Sequence, residues 1–485
     1  MKTVKKFFKF IFLFLFIFVL NILSVSAKDY TIDEGDFLRT SNFFVPKLND
    51  SMSITGTGNY TRYDVKPPIG GDFTQRPIAG TKGATTFQFR ELNGNEKIVA
   101  TYHNVGNQNG RKLALQLTFS NFIPTDNYDN IFGCNTPTIQ IMEDIKGGYA
   151  SVNLKSFDIE QKIIFEDNKT LAPIDKYYMS FASLNMGEGV IIPSNANTYR
   201  IPTTRVGKTG VNTWEGISES NSHDDKDNKL FHENTLTVEY QGNVLHYKAF
   251  QRSLKWLNPP PDGWYQTIPR PTEGKGFNSD LWSALSFSPL AATASYPEKY
   301  VLDGNTWVKE KKVYKPNEQV SYKIDQTVQV LGFNGQYKYS SFKFEDILPP
   351  EINYKNAYIL KNGERISSSN YSINYNSSNR TVTATFNSNY LKNMSYNGET
   401  YSLIIETTVS DVGFQNSSFN NQAFTVINNN RAGTNPVQVT PKYNITTEVI
   451  NGTITDSINN INHNANKTIS YSPKEGYMIK SVTIV

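Results

Sequence analysis

A single cysteine, Cys134, excludes any disulfide within the chain. Histidine is almost as scarce, with 5 in 485 residues. His223 and His232 come close in sequence, but their spacing fits no helix, and no HExxH pattern occurs. There is no serine nucleophile elbow and no phosphate-cradling glycine loop, so the common hydrolase and nucleotide chemistries lack a sequence basis. Charge of one sign is also missing: 48 basic and 44 acidic residues leave +4, too mild to imply a nucleic-acid partner. The cluster His223, Asp224, Asp225, Asp227 invites a cation reading. It lacks the turn glycine and closing glutamate of an EF-hand loop, and a charge run of this kind reads as solvated loop. Glu188 has no second acid at a spacing that would mark a glycosidase pair. No metal and no cofactor are expected.

Tyrosine (28) and phenylalanine (30) are plentiful and stand among Thr, Ser, Asn and Gly, a composition of antiparallel strands and turns. Residues 1–27 read as a secretory signal peptide. Lys2, Lys5, Lys6 and Lys9 precede the apolar run Phe10 to Leu20, and Val25-Ser26-Ala27 forms the cleavage pattern. The run is too short for a membrane span, which needs about 20 apolar residues. The mature chain is therefore expected to begin at Lys28, outside the membrane and without a transmembrane span. An exported chain without disulfides needs another brace.

From 28 to 295 no helical period of any length appears. ATTFQFREL (84–92), EKIVATYHNVG (96–106), KLALQLTFSNF (112–122), ASVNLKSFDI (150–159) and NTLTVEYQGNVLHYKAF (234–250) alternate as half-buried strands do. A large β-sandwich or jelly roll is expected here. Trp214, Trp256, Trp264 and Trp282 could line a carbohydrate groove, although core packing is the commoner fate of such residues. Two pieces, 103–119 and 177–190, resemble the amino-terminal domains that precede isopeptide-forming repeats in Firmicute surface proteins. That likeness transfers no site.

The stretch 299–421 carries the sharpest signal. Period-2 segments such as YSINYN, RTVTATF and YSLIIETTVS are bounded by Asn, Gly or Ser, which suggests an immunoglobulin-like sandwich. It opens with Pro297, Lys299 and Val301, and continues with a strand carrying Val320, Tyr322, Ile324 and Gln326. A corner of Asp346, Leu348 and Pro349 follows, and Asn421 and Ala423 close it. In this order the pieces resemble the fimbrial isopeptide-forming domain of Gram-positive pilins and cell-wall adhesins. The resemblance implies that the Lys299 amine attacks the Asn421 carboxamide, that ammonia leaves, and that Asp346 assists. Burial would favour the neutral amine that such an attack needs. Lys309, Lys311 and Lys312 are rival nucleophiles and Glu345 a rival acid.

The Pro- and Gly-containing 431–442 reads as a linker, and 443–485 resembles a β-rich repeat of Gram-positive surface proteins. Its marks are the turn 451–454, Thr468-Ile469-x-Tyr471, and Gly476-Tyr477 before Ser481-Val482. Such units recur, because one alone buries little. With no LPxTG-type signal in view, the chain reads as a fragment or truncated product. The expected architecture is thus all-β and multidomain: signal peptide 1–27, head 28–295, isopeptide-forming domain 296–430, linker 431–442 and repeat 443–485. The expected function is a secreted, cell-wall-associated adhesin or fimbrial-type protein, not an enzyme, whose head binds a host or cell-surface protein or glycan. An exported carbohydrate-active enzyme and a ligand-free structural pilin subunit are the alternatives.

Overall fold

The computed structural model describes residues 27–32, 37–40, 44–126, 128, 130–185, 187–216, 232–251, 280–287, 289–328 and 338–483. The signal-peptide run lies outside them. So do the His223–Asp227 cluster, Trp256 and Trp264.

Alternation builds the head. In Arg111–Pro124, Leu113, Leu115, Leu117 and Phe119 point one way and are fully buried, while Gln116, Thr118 and Ser120 face the other way. Repeating this pattern gives two nine-stranded sheets among the described residues. One runs from Asp29–Thr31 at one edge, through Lys176–Ala182 and Asp280–Ser286, to Asn59–Val65 at the other. The second centres on Val244–Gln251, Leu154–Phe165, Arg111–Pro124 and Lys97–Gln108. Their inner faces share one apolar core rich in Phe and Tyr, which also takes in Trp214. Smaller clusters cover the outer face of the first sheet, one of them holding Cys134 and, half-buried at its margin, Trp282. Cys134 is thus a buried core residue, and burial pushes its thiol up.

The second domain has its own core. A six-stranded sheet (Thr306–Val308, Glu298–Asp303, Gln319–Thr327, Thr400–Val409, Ile352–Lys361, Glu364–Arg365) faces a five-stranded one. The latter runs Tyr371–Asn376, Thr381–Phe386, Phe342–Ile347, Ala423–Ile427, Asn430–Gly433. A small third sheet, Glu310–Val313, Val437–Pro441 and Phe419–Asn421, closes one side.

The stretch 431–442 is not a linker. Asn430–Gly433 pairs with Ala423–Ile427, and Val437–Pro441 pairs parallel with Glu310–Val313. Val437 and Val439 are buried in the second core, so their alternation, and not the flanking Gly and Pro, decides the structure. Nor do the strands that carry Lys299 and Asn421 pair with each other. Glu298–Asp303 pairs with Gln319–Thr327, while Phe419–Asn421 pairs with Val437–Pro441.

A short sheet joins the head to the second domain. Phe37–Arg39 pairs parallel with Ala292–Ala294, and Ala292 and Ala294 belong to the second core. Beyond the second domain, Tyr443–Ile445 pairs with Ile458–Ile461 and Gly452–Ile454 with Tyr471–Pro473. In that last region Ile461 is buried.

Candidate cross-link site

The strand Glu298–Asp303 alternates, so Lys299 and Val301 turn inward together, and both are fully buried. On the facing sheet, Phe342, Phe344 and Asp346 do the same in Phe342–Ile347. Asp346 stands opposite Ala423 in the ladder, which brings Asn421, two residues earlier, to the same place. A lysine, an aspartate and an asparagine, 0%, 0% and 2% exposed, therefore meet inside an aromatic and aliphatic core.

Lys299 Nζ donates to Asp346 Oδ2 at 2.5 Å, and Asn421 Nδ2 donates to the same oxygen at 3.4 Å. The lysine nitrogen and the asparagine amide nitrogen are thus gathered on one carboxylate atom. The other oxygen, Asp346 Oδ1, and the carbonyl oxygen of Asn421 are buried without a hydrogen-bond partner. Lys299 Nζ also lies 4.8 Å from the centre of the Tyr322 ring.

Burial dominates the electrostatics. Loss of water pulls the Lys299 ammonium down to about 8, against the opposing pull of Asp346. Loss of water likewise raises the Asp346 carboxyl, against the charge and hydrogen bond of Lys299. Both shifts favour the neutral partners, an amine and a carboxylic acid, over an ion pair.

The rivals are placed elsewhere. Lys309 Nζ is exposed and donates to Glu298 Oε2, the Lys299 carbonyl and Asn435 Oδ1 at 3.2, 3.0 and 3.1 Å. Lys311 donates to the Leu302 carbonyl at 3.0 Å, and Lys312 lies on the surface. Glu345 points outward to Lys343 and Arg431, at 2.7 and 3.1 Å. Glu188, in the head, is buried and accepts from the backbone N–H groups of Trp282 and Asn185, at 3.1 and 3.3 Å.

Asn435 escaped the sequence reading. Its Oδ1 accepts from Lys299 N at 3.0 Å and its Nδ2 donates to Lys299 O at 2.9 Å, a two-way clamp on the backbone of the nucleophile. An Asn-Pro pair inside an apparent linker was the available signal.

The domain has relatives. Residues 297–441 match the family model described as the cell surface antigen I/II C2 terminal domain. Over those residues the chain is similar to a domain of cell surface antigens. No described helix is long and apolar enough to cross a membrane. No curated protein matches the chain. Among solved structures, the chain is similar to the N-terminal domain of the Streptococcus gordonii adhesin Sgo0707. The identity is 12%, with 87% of this chain and 99% of that one covered, at a TM-score of 0.38. It is also similar to domains D2 and D3 of the major pilin SpaD from Corynebacterium diphtheriae, at 22% identity, 30% and 52% coverage and a TM-score of 0.25. A third likeness is to the C-terminal domain of the Streptococcus pyogenes antigen I/II-family protein AspA, at 12% identity, 62% and 96% coverage and a TM-score of 0.29. At these scores the likenesses carry no argument about function.

Proposed function

We propose that this surface protein is a wall-associated adhesin whose second domain closes an autocatalytic isopeptide bond between Lys299 and Asn421. Asp346 acts as the proton shuttle. The observation that carries this reading is the convergence of all three side chains, fully buried, on the single oxygen Asp346 Oδ2.

The neutral Lys299 amine attacks Cγ of Asn421. Asp346 delivers its proton to Nδ2 and takes one from Nζ. The Cγ–Nδ2 bond breaks, ammonia leaves, and Asp346 ends as it began. An amide is a poor electrophile, so positioning must supply the rate, and effective molarities in such geometry reach roughly 10⁵ M or more. The reaction occurs once per molecule. It is maturation and not turnover, and the chain is not read as an enzyme.

The head, 28–295, is the ligand-binding part in this reading, directed at a host or cell-surface protein or glycan. The intact mass of the mature chain tests the bond: one ammonia less than the sequence is expected, with a Lys299–Asn421 linked peptide surviving digestion. Full mass would reject it. A link from Lys309 instead would reject only the choice of nucleophile.

A further inference from the structure

The reactive trio is spread over three sheets: Lys299 in the six-stranded one, Asp346 in the five-stranded one and Asn421 in the small third sheet. No ladder runs from the Lys299 strand to either of the others. The segment 434–437 reaches the main chain at all three places. Thr434, which is buried, donates its N–H to Ala423 O at 2.9 Å, and its Oγ1 accepts from Ala423 N at 3.1 Å. Ala423 stands opposite Asp346, so this grip lies beside the acid. Asn435 holds Lys299 in the same two-way manner, Oδ1 accepting from its N–H at 3.0 Å and Nδ2 donating to its carbonyl at 2.9 Å. The strand Thr306–Val308 pairs with Val301 to Asp303 and stops short of Lys299, so Asn435 takes the edge it leaves. Val437 stands opposite Asn421, and Val437–Pro441 is the ladder partner of that strand.

We infer that 434–437 sets the three sheets in register for the cross-linking reaction, with Asn435 the positioning residue for the Lys299 nucleophile. The inference rests on the isopeptide reading above. Asn435 touches no reacting atom and exchanges no proton; it fixes the main chain from which the Lys299 side chain reaches Asn421. Attack on an amide needs nitrogen and carbon held about 3–3.5 Å apart and aligned, and a displacement of about 1 Å can cost roughly 100-fold. Packed apolar faces alone leave two sheets without a directional tie, whereas paired hydrogen bonds to main chain supply one. Thr434 Oγ1 donates to Asn435 O at 2.7 Å, which ties the grip on Ala423 to the grip on Lys299. Pro436 restricts Asn435 before it to extended backbone, so the clamp is pre-set. Lys309 Nζ donates to the same Oδ1 and the same Lys299 carbonyl, from the exposed side.

The test follows ammonia loss in time. The mature full-length chain is made by pulsed cell-free synthesis, quenched in denaturant at intervals and weighed intact. Asn435→Ala is expected to slow the loss of ammonia by roughly tenfold or more, the scale of a sub-ångström displacement of the nucleophile. Asn435→Asp keeps an acceptor for the Lys299 N–H but loses the donor to its carbonyl, and is expected to slow the reaction as well. Because Asn435 touches only the main chain of Lys299, the pH profile of Asn435→Ala should drop in height and keep its position. The Asp346→Ala chain, which should form no bond, reports on structure alone, and adding either substitution to it should leave the domain folded at the synthesis temperature. Ammonia loss within about threefold of wild type in either variant would overturn the role, being far below that scale. So would a displaced pH profile, or slowing that only matches the unfolded fraction in the unlinked background. Wild-type chain at full mass would reject the cross-link itself, a result distinct from a linked wild type with a normally reacting Asn435→Ala.

Discussion

Lys299 and Asp346 hold each other in a place where neither charge is welcome. Two ions moved from water into an apolar core recover their desolvation cost only with excellent geometry, and Asp346 Oδ1 is left without a partner. Amide formation removes the lysine charge for good, so the reaction relieves the pair as well as joining the strands. The reactive state holds one proton between the two groups, with the amine free and the acid protonated. Above about 8 the pair loses that proton. Below the raised range of Asp346 a second proton arrives and blocks the amine. Bond formation is therefore expected to be bell-shaped in pH and to decline above about 8, measured as ammonia loss on refolding unlinked chain. A rate still rising at high pH would show that the shared proton is not needed.

The same pair sets the stability of an unlinked Asn421→Ala chain. The folded Lys299 binds its proton less tightly than the unfolded one. Between about 8 and 10.5 the unfolded state therefore holds more protons, and stability rises with pH. At the residue scale Asp346→Ala should also restore full mass and lower Tm, while Glu345→Ala, whose partners are on the surface, should leave the bond intact.

At the scale of elements, strands were legible wherever one face is apolar. Leu113, Leu115, Leu117 and Phe119 announce their strand, and Phe342, Phe344 and Asp346 show that a buried polar residue can occupy an apolar slot. Short strands were not legible. Val437–Pro441 is brief, follows an Asn-Pro pair and ends in proline, so its local signal is that of a connection. One turn shows how narrowly elements are fitted. Gly148 has φ +62, and a Cβ there would lie 1.9 Å from the carbonyl oxygen of Ser283 on the neighbouring strand. Gly148→Ala is expected to cost roughly 3 kcal/mol or more, by combining backbone strain with a clash against main chain. Thermal unfolding of the mature chain checks this, and an unchanged head transition would contradict it.

Across the whole molecule, Arg39 joins what sequence divides. It is buried, stands 4.8 Å over the Phe37 ring, and donates to Ser295 O, Asn430 O, Asn430 Oδ1 and Gln326 Oε1 at 2.9, 3.1, 3.2 and 3.4 Å. Burial lowers its guanidinium to about 10. Removing it takes a charged donor from all four, although Ser295 O keeps Gln326 Nε2 and Gln326 Oε1 keeps Thr425 Oγ1, so Arg39→Ala should destabilise the chain by about 3 kcal/mol. Arg39→Lys should not rescue it, because an ammonium lacks the planar fork. Differential scanning of both variants decides the point.

The load path follows from the same geometry. Tension entering at Lys299 and leaving at Asn421 would run through the amide and bypass the intervening strands. The proposed bond would close a loop of 122 positions (421 − 299). In the chain-entropy view such a closure would contribute about 4–5 kcal/mol, as a long-loop disulfide does. Under single-molecule stretching, wild type should never release this segment. Asp346→Ala should release about 400 Å, from 122 residues at roughly 3.3–3.6 Å each. A wild-type release of that length would mean that no covalent brace is present.

The sequence by itself determined the longer strands and which of their faces are apolar, because period-2 alternation is a local property. It also brought forward Lys299, Asp346 and Asn421, through motif pieces whose order survives in the chain. Only the tertiary structure decided that these three share one oxygen, that Lys309 and Glu345 face away, and that Asn435, Tyr322 and Arg39 hold central positions. Alternation says that a side chain points inward, but not what stands opposite. That depends on pairing between strands tens to hundreds of residues apart, and on which sheet faces which. The reactivity of Lys299 has the same origin. A lysine is an ordinary surface cation until two sheets close over it and remove the water that kept it charged.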